Sequence, residues 1–340
     1  MEIQEFNTPK EIVRWITLGE EGGPRVVLST LGAGIVRAYL PDKDGKVENV
    51  VFGYRLPEDY FDDGPCSGKC PGRYANRIAR GHLELDGEVW QLAINNGPNA
   101  LHGGPTGFQN HIWDLETDGD DAVIFSLHSP DGDENYPGAL DAQIRYDWRD
   151  GELTLTMSAV TDKTTVVNLT NHAYWNLDGI GSGKIYDHLL TLRASRYLPT
   201  DETLIPTGEQ APVEGTPMDF TTEKALGKEL HADFPALNYG KGYDACWVID
   251  EGEGPVAVLR SERSGRTLEV YSDQPGIQVY TGNWLDGCPE GPDGEKFGDY
   301  DAVALEAQGF PDAPNNPSFP SQTLRPGELY HRTITFKFKS

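Results

Sequence analysis

Pairs of short runs with alternating apolar and polar residues, joined by Asp-Gly, constrain the fold of this chain more than any other feature. In the clearest pair, apolar residues occupy every second position across 142–148 and 153–157, and Asp150-Gly151 lies between the two runs. A period of two places the apolar side chains on one face of a strand, and Asp-Gly favours the tight turn of a β-hairpin. Similar runs flank Asp86-Gly87 and Asp118-Gly119. The sequence therefore predicts a fold built from antiparallel hairpins.

Helical patterns are scarce in this chain. Residues 57–61 predict one helical turn and residues 222–231 predict a short helix, but neither alternates with strands as in a βαβ unit. The 39 glycines and 24 prolines among 340 residues exceed average usage, which is typical of a protein with many turns. No linker or internal repeat divides the sequence. We therefore predict one all-β domain over residues 1–340, a large antiparallel β-sandwich with very little helix.

The strong negative charge limits the partners that this chain can bind. Lys and Arg total 28 against 54 Asp and Glu, which gives a formal net charge of −26. Because such a surface repels phosphate backbones and anionic headgroups, neither nucleic acid nor a membrane is expected as a partner. The sequence opens with no leader pattern and contains no apolar run near the roughly 18 residues of a membrane span, so a cytoplasmic location is expected. Cys66 and Cys70 lack a second close cysteine pair, so no metal site is predicted.

Six segments contain polar residues that a plain scaffold would not need. They are residues 73–78, 99–104, 171–177, 242–247, 274–283 and 305–312. Most of these residues have a structural explanation when taken alone, because most buried polar groups in proteins serve the structure. Glu306 is harder to explain in that way, since it follows the apolar run 302–305 and a carboxylate in a buried strand needs partners.

Taken in this order, the six segments resemble the aldose 1-epimerase (galactose mutarotase) family over essentially the whole chain. The resemblance is carried by Asn-Arg-Ile, Leu-His-Gly-Gly, Asn-His-Ala-Tyr, a Gly-aromatic-Asp element, Gln-Pro-Gly-x-Gln-x-Tyr-Thr-Gly-Asn and Leu-Glu-x-Gln. It implies a β-sandwich with a sugar site in a cleft on one sheet. It also implies an isomerase that interconverts the α and β anomers of free hexoses such as galactose and glucose, without a metal or an organic cofactor. A free aldose is the expected small-molecule partner, and the protein is expected to be a monomer or weak dimer.

The resemblance also implies roles for seven residues. Glu306 is implied as the general base and His172 as the general acid. The residues implied to hold the sugar are Arg77, His102, Asp244 and Gln278, with Asn76 as a neighbour. The residue types suit the chemistry, because opening of a hemiacetal needs a base at the C1 hydroxyl and an acid at the ring oxygen, and Glu and His can exchange protons near neutral pH.

Three positions depart from the family pattern, and three other functions compete with the main one. Tyr243, Ala245 and Gly309 stand where Phe, His and His are common, which leaves the preferred substrate open but not the reaction. A hexose 6-phosphate epimerase would need a cluster of cations for the phosphate. A sugar sensor without catalysis would not need an acid–base pair. A glycoside hydrolase would need two facing carboxylates, a role that Asp244 and Glu306 would have to fill.

Overall fold

The computed structural model describes residues 1–61 and 63–340. Within these residues most of the regular structure is β-strand. In chain order the strands are β1 (Glu2–Asn7), β2 (Ile12–Gly19), β3 (Arg25–Ser29), β4 (Gly34–Pro41), β5 (Val47–Asn49), β6 (Arg77–Ile78), β7 (His82–Leu85), β8 (Glu88–Gln91), β9 (Ala100–Leu101), β10 (Asp114–Thr117), β11 (Ala122–Ser129), β12 (Leu140–Arg149), β13 (Glu152–Thr161), β14 (Thr165–Val166), β15 (Tyr174–Trp175), β16 (Leu189–Leu192), β17 (Arg196–Tyr197), β18 (Ala211–Pro212), β19 (Lys224–Ala225), β20 (Asp244–Val248), β21 (Ala257–Arg260), β22 (Thr267–Ser272), β23 (Gly276–Tyr280), β24 (Val303–Gln308), β25 (Thr323–Leu324) and β26 (Tyr330–Lys339).

Helical structure is limited to short segments. The α-helix in the described residues is α1 (Pro235–Gly240), and the 3₁₀ turns are Pro57–Tyr60, Ala79–Gly81, Phe108–Asn110, Asp133–Asn135, Ile185–Asp187, Leu226–Lys228 and Ala313–Asn315. In the same part of the chain, no helix has the length and apolar character needed to cross a membrane.

Three large sheets contain most of the strands. The nine-stranded sheet has the order β10-β11-β12-β13-β26-β22-β21-β16-β19, the six-stranded sheet β15-β24-β23-β20-β17-β18, and the five-stranded sheet β1-β2-β3-β4-β5. Paired strands run antiparallel throughout the described chain. This order joins strands that are far apart in the sequence, such as β13 and β26.

The nine-stranded and six-stranded sheets pack against each other through aromatic side chains. Trp175 in β15 contacts Phe336 and Phe338 in β26, with ring centroids 5.1 and 5.4 Å apart. Side chains from all three large sheets belong to one hydrophobic cluster, in which Leu28 and Leu155 are both fully buried. Burial of this apolar surface is the main force that holds the sheets together. The predicted antiparallel β-sandwich is confirmed.

The hairpins predicted from the sequence are present. Strands β12 and β13 pair with Tyr146 opposite Leu155, and β7 pairs with β8 and β10 with β11. Asp150 and Gly151 have φ angles of 52° and 77°. Both residues of a two-residue type I′ turn need positive φ, which Asp tolerates and Gly adopts without strain, so the Asp-Gly pair determines where the hairpin turns.

The prediction of a short helix at 222–231 is wrong. Residues 224–225 form β19, which pairs with β16 at the edge of the nine-stranded sheet, and only the 3₁₀ turn Leu226–Lys228 follows. The backbone hydrogen bonds of the sheet edge replace those of a helix, because helix propensity is a weak preference that tertiary contacts override. The helix α1 begins a few residues later at Pro235, whose fixed φ suits the first helical position. The turn predicted at 57–61 is confirmed as the 3₁₀ turn Pro57–Tyr60.

Candidate active site

A cavity of about 570 Å³ opens on the six-stranded sheet, and all seven residues predicted from the sequence line it. Strands β20, β23 and β24 lie side by side in this sheet, and the side chains of Asp244, Gln278 and Glu306 come from them. Three other segments supply the rest of the predicted set, namely Asn76, Arg77, His102 and His172. The fold therefore brings together residues that are up to 230 positions apart in the sequence, as 306 minus 76 shows.

Glu306 lies in β24, a strand that is buried along its whole length. Gln278 is directly opposite it in the antiparallel pair of β23 and β24. The Glu306 side chain is 2% exposed, and its Oε2 atom has no hydrogen-bond partner among the described residues. Burial and the nearby Asp244 carboxylate raise the pKa of Glu306 well above its usual range, and the Arg77 charge opposes this rise. A carboxyl with a raised pKa can accept and return a proton near neutral pH.

His172 lies beside Glu306. Its Nε2 atom lies 3.5 Å from Oε1 of Glu306, and its Nδ1 atom has no partner among the described residues. The ring packs at a 4.8 Å centroid distance from Tyr174, while His102 lies edge-on at 5.4 Å. Burial lowers the pKa of His172 to about 4, and the positive charge of Lys69 contributes in the same direction. The burial that raises the pKa of the carboxyl therefore lowers that of the imidazole.

Arg77, Asp244 and Gln278 form a connected polar group beside this pair. The Arg77 Nη2 atom lies 3.7 Å from Asp244 Oδ2, and Gln278 Nε2 donates to Asp244 Oδ1 at 2.6 Å. Arg77 also donates through Nε to Asn96 Oδ1 at 3.1 Å. The Oε1 atom of Gln278 is buried and has no partner among the described residues. The group presents fixed donors and acceptors to the cavity, as recognition of hydroxyl groups requires.

His102 and Asn76 form a reciprocal contact at the edge of the cavity. The Asn76 N–H donates to His102 Nδ1 at 3.1 Å, and the His102 N–H donates to the Asn76 carbonyl at 3.0 Å. Both residues have positive φ angles, 67° and 53°, a conformation that is rare outside glycine and is found at functional sites. Burial, His172, Arg77 and Lys69 together lower the pKa of His102 well below its usual range. Since Nδ1 accepts, the neutral ring carries its proton on Nε2, where it can donate to a ligand.

Comparison with known proteins shows to which family this chain belongs. The model of the family described as aldose 1-epimerase matches residues 14–337. This chain belongs to the aldose 1-epimerase family. It is 45% identical over 309 residues to the galactose mutarotase of Rattus norvegicus, covering 90% of this chain and 89% of that protein. It is 38% identical over 331 residues to the aldose 1-epimerase of Escherichia coli K12, covering 96% and 95%.

Solved structures of other family members have the same fold. An aldose epimerase homologue from C. elegans superposes with a TM-score of 0.89 at 32% identity, covering 96% of this chain and 98% of that one. The galactose 1-epimerase from Lactobacillus acidophilus gives a TM-score of 0.87 at 30% identity, covering 99% and 98%. The chain is therefore an isomerase of the aldose 1-epimerase family, and it interconverts the α and β anomers of aldoses.

Several residues that line the cavity of this epimerase were not predicted from the sequence, among them two tyrosines, a tryptophan and an asparagine. Tyr280 lies two positions after Gln278 in β23 and therefore on the same face of the strand, a signal that the alternation contained. Tyr174 lies within a recognised motif but was not singled out. Asn96 and Trp284 are in loops, where no periodicity marks them. Trp284 is 66% exposed at the rim of the cavity.

The three positions that depart from the aldose 1-epimerase pattern do not line the main cavity. Tyr243 is buried in the core, and its hydroxyl donates to the Pro217 carbonyl at 3.0 Å. Gly309 donates its N–H to Asn168 Oδ1 at 2.7 Å. Ala245 borders a separate void of about 10 Å³, which Asp244 and Gln278 also line.

The cavity of the epimerase can perform proton transfer with its own side chains. Glu306 and His172 are close enough to act on two oxygens of one small ligand, and the polar group around Asp244 can orient that ligand. Among the described residues, no three His, Cys, Asp or Glu side chains are grouped in the way that a metal ion requires.

Proposed function

We propose that this epimerase acts on free hexoses, galactose and glucose among them, with Glu306 as the general base and His172 as the general acid. The observation that carries the proposal is the pair itself, a buried carboxyl and a buried imidazole 3.5 Å apart on the wall of a polar cavity. The relatives from Rattus norvegicus and Escherichia coli are a galactose mutarotase and an aldose 1-epimerase, which supports an aldose as the substrate.

The pair can open and close the sugar ring with a balanced exchange of protons. Glu306 removes the proton of the C1 hydroxyl while the bond between C1 and the ring oxygen breaks and His172 protonates that oxygen. The open-chain aldehyde then rotates about the C1–C2 bond. On reclosure the oxygen attacks the other face of C1, His172 takes back its proton, and Glu306 returns a proton to the carbonyl oxygen. The enzyme ends in its initial protonation state.

Binding of the hydroxyl groups is assigned to the polar residues around the pair. We propose that Arg77, His102, Asp244 and Gln278 hold the sugar, with Asn76 supporting His102. Asp244 is already held by Gln278 at 2.6 Å, so the acceptor is oriented before the ligand enters. A preorganised site loses less entropy when the ligand binds.

We expect Arg77→Ala to weaken binding of galactose more than it slows turnover. Loss of a charged hydrogen-bond donor costs about 1.5–3 kcal/mol, so KM should rise by roughly 10-fold to 100-fold while kcat stays within a few-fold. Initial rates by polarimetry over a range of galactose concentrations measure both constants. Arg145→Ala is the matched control, because Arg145 is paired with Asp118 and Asp147 outside the cavity. A fall in kcat at unchanged KM would show that the role of Arg77 is misassigned.

The rate constant kcat/KM should be constant between an acidic limb and an alkaline limb. Between its two limbs the pair holds one exchangeable proton, either as the ion pair or as two neutral groups, and its net charge is zero. Burial disfavours addition of a second proton, which would leave the pair positive, so the acidic limb lies below the usual range of histidine. Burial also disfavours loss of the last proton, so the alkaline limb lies above the usual range of a carboxyl.

The measurement is kcat/KM from about pH 4 to about pH 9, corrected for spontaneous mutarotation in the same buffers. The two limbs report apparent pKa values of the pair and not of one residue. An acidic limb centred near ~6.5, the usual pKa of histidine, would contradict this account of the buried pair.

Free sugars are favoured over sugar phosphates by the charges of the cavity. Among the described lining residues, Arg77 is the single Arg or Lys, and it already contacts Asp244 and Asn96. The acidic lining residues Glu202 and Asp244 would repel a phosphate. Mutarotation of glucose and of glucose 6-phosphate tests the proposal: kcat/KM should be much lower for the phosphate, and equal values would contradict it.

We also propose that the enzyme works as a single domain and as a monomer or weak dimer in the cytoplasm. The shared hydrophobic cluster of the three large sheets supports one domain. The four cysteines are free thiols, which fits a reducing compartment. Sedimentation at enzyme concentrations used in the assay tests the oligomeric state.

A further inference from the structure

A buried ion pair lies outside the cavity, next to the segment that contacts His172. Lys69 Nζ is 3.4 Å from Asp63 Oδ2, and the two side chains are 1% and 0% exposed. Lys69 Nζ also donates to the Tyr60 carbonyl at 2.7 Å, and Asp63 Oδ1 accepts from the Tyr54 hydroxyl at 2.6 Å. A buried ion pair is weak evidence for stability, because desolvation of both charges offsets their attraction. We therefore consider the location of this ion pair next to His172, and not its contribution to the stability of the fold.

The main chain of residues 68–69 forms hydrogen bonds with both the N–H and the carbonyl group of His172. The His172 N–H donates to the Lys69 carbonyl at 2.9 Å, and the Gly68 N–H donates to the His172 carbonyl at 3.0 Å. Gly68 cannot be replaced without moving the backbone, because a Cβ there would lie 1.9 Å from the Ile35 carbonyl oxygen. The position of His172 is thus tied to the conformation of the segment 63–69.

The same segment forms part of the cavity wall and holds Tyr174. Gly64 and Pro65 line the cavity, and the Pro65 carbonyl accepts from the Tyr174 hydroxyl at 2.7 Å. The Tyr174 ring packs against the His172 ring at 4.8 Å. Asp63 and Lys69 stand at the two ends of the segment, so their ion pair closes it into a loop.

We propose that Lys69 and Asp63 are positioning residues for the acid–base step, and that their ion pair clamps the segment 63–69 so that His172 and Tyr174 keep their places against Glu306. Neither residue lines the cavity, so neither is expected to touch the sugar. The inference rests on the proposed role of His172. Small displacements of an acid–base group can cost a large factor in rate, which is why a clamp of this kind affects turnover.

The charge of Lys69 provides a readout that a purely structural clamp would not change. The titratable and charged groups around His172 are Glu306, His102, Tyr174, Tyr280 and Lys69. The Lys69 charge lowers the pKa of His172, so loss of that charge should move the titration of His172 to higher pH.

The test is the double variant Asp63→Asn/Lys69→Met, compared with Lys69→Arg. Lys69→Met alone would leave the Asp63 carboxylate buried and unpaired, which endangers folding. The double variant removes both charges, whereas Lys69→Arg keeps the cation. The matched control is Asp86→Asn/Arg325→Met, which removes a surface pair whose side chains are 52% and 51% exposed.

For galactose mutarotation we expect kcat of the double variant to fall on the order of 10-fold or more while KM changes within about 3-fold. The acidic limb of its kcat–pH profile should move to higher pH, and the imidazole NMR titration of His172 should move in the same direction. The Lys69→Arg variant should keep most of the wild-type kcat. Unchanged kcat together with an unchanged His172 titration would overturn the inference. A wild-type enzyme that does not accelerate mutarotation would instead refute the proposed function, and the NMR titration would still test the role of Lys69.

Discussion

Glu306→Gln should lower kcat for galactose mutarotation by at least about 100-fold, the usual contribution of a positioned general base. The amide has nearly the shape of the carboxyl, so the packing of the buried strand β24 is kept, but it cannot take the proton of the C1 hydroxyl. KM should change little, because the residues proposed to hold the sugar are untouched. Polarimetric initial rates over a range of galactose concentrations separate the two constants.

The matched control for this variant is Glu269→Gln. Glu269 also lies on a strand, in β22, and its side chain is 15% exposed and paired with Lys339 outside the cavity. It should therefore retain wild-type kcat. Near-normal turnover of Glu306→Gln in a folded protein would remove Glu306 from the chemistry.

His172→Asn should also lower kcat by at least about 100-fold, because it removes the group that protonates the ring oxygen. The asparagine side chain is shorter and does not titrate, so it can neither give nor take the proton while the C1–O bond breaks and re-forms. His188→Asn is the control for loss of a buried imidazole: His188 accepts the Leu177 N–H at 2.9 Å and lies outside the cavity. That variant should lose thermal stability and keep its kcat.

The two variants should not be additive when they are combined. Residues that act as one unit in catalysis cost about as much together as the more damaging one costs alone. The Glu306→Gln/His172→Asn enzyme should therefore be close to the slower single variant. If the two losses multiply instead, each residue contributes through a separate step and the paired mechanism is wrong.

The local parts of this fold were predictable and the long-range parts were not. Alternating runs around Asp150-Gly151 indicated a hairpin, because the period and the turn residues are both local properties. The pairing of β13 with β26 joins segments that are more than 150 positions apart, and no local pattern specifies that register. The prediction of a helix at 222–231 was wrong for the same reason, because residues 224–225 pair with β16 at the sheet edge and a 3₁₀ turn follows them.

The candidate site shows the same division. The residue types of Glu306 and His172 were predicted through the resemblance to the family, but their 3.5 Å contact depends on how β24 packs beside the segment before β15. The Lys69–Asp63 pair was not predicted, because a lysine and an aspartate six positions apart are common in sequences. Only the burial of both side chains beside His172 distinguishes this pair from an ordinary surface ion pair.

The most direct test of the central claim is polarimetry of freshly dissolved α-D-galactose with and without catalytic amounts of the enzyme. We predict faster relaxation to the same final rotation, with a rate proportional to enzyme concentration and lost in Glu306→Gln. Relaxation at the spontaneous rate, for galactose and for glucose alike, would contradict the claim that this epimerase interconverts the anomers of free hexoses.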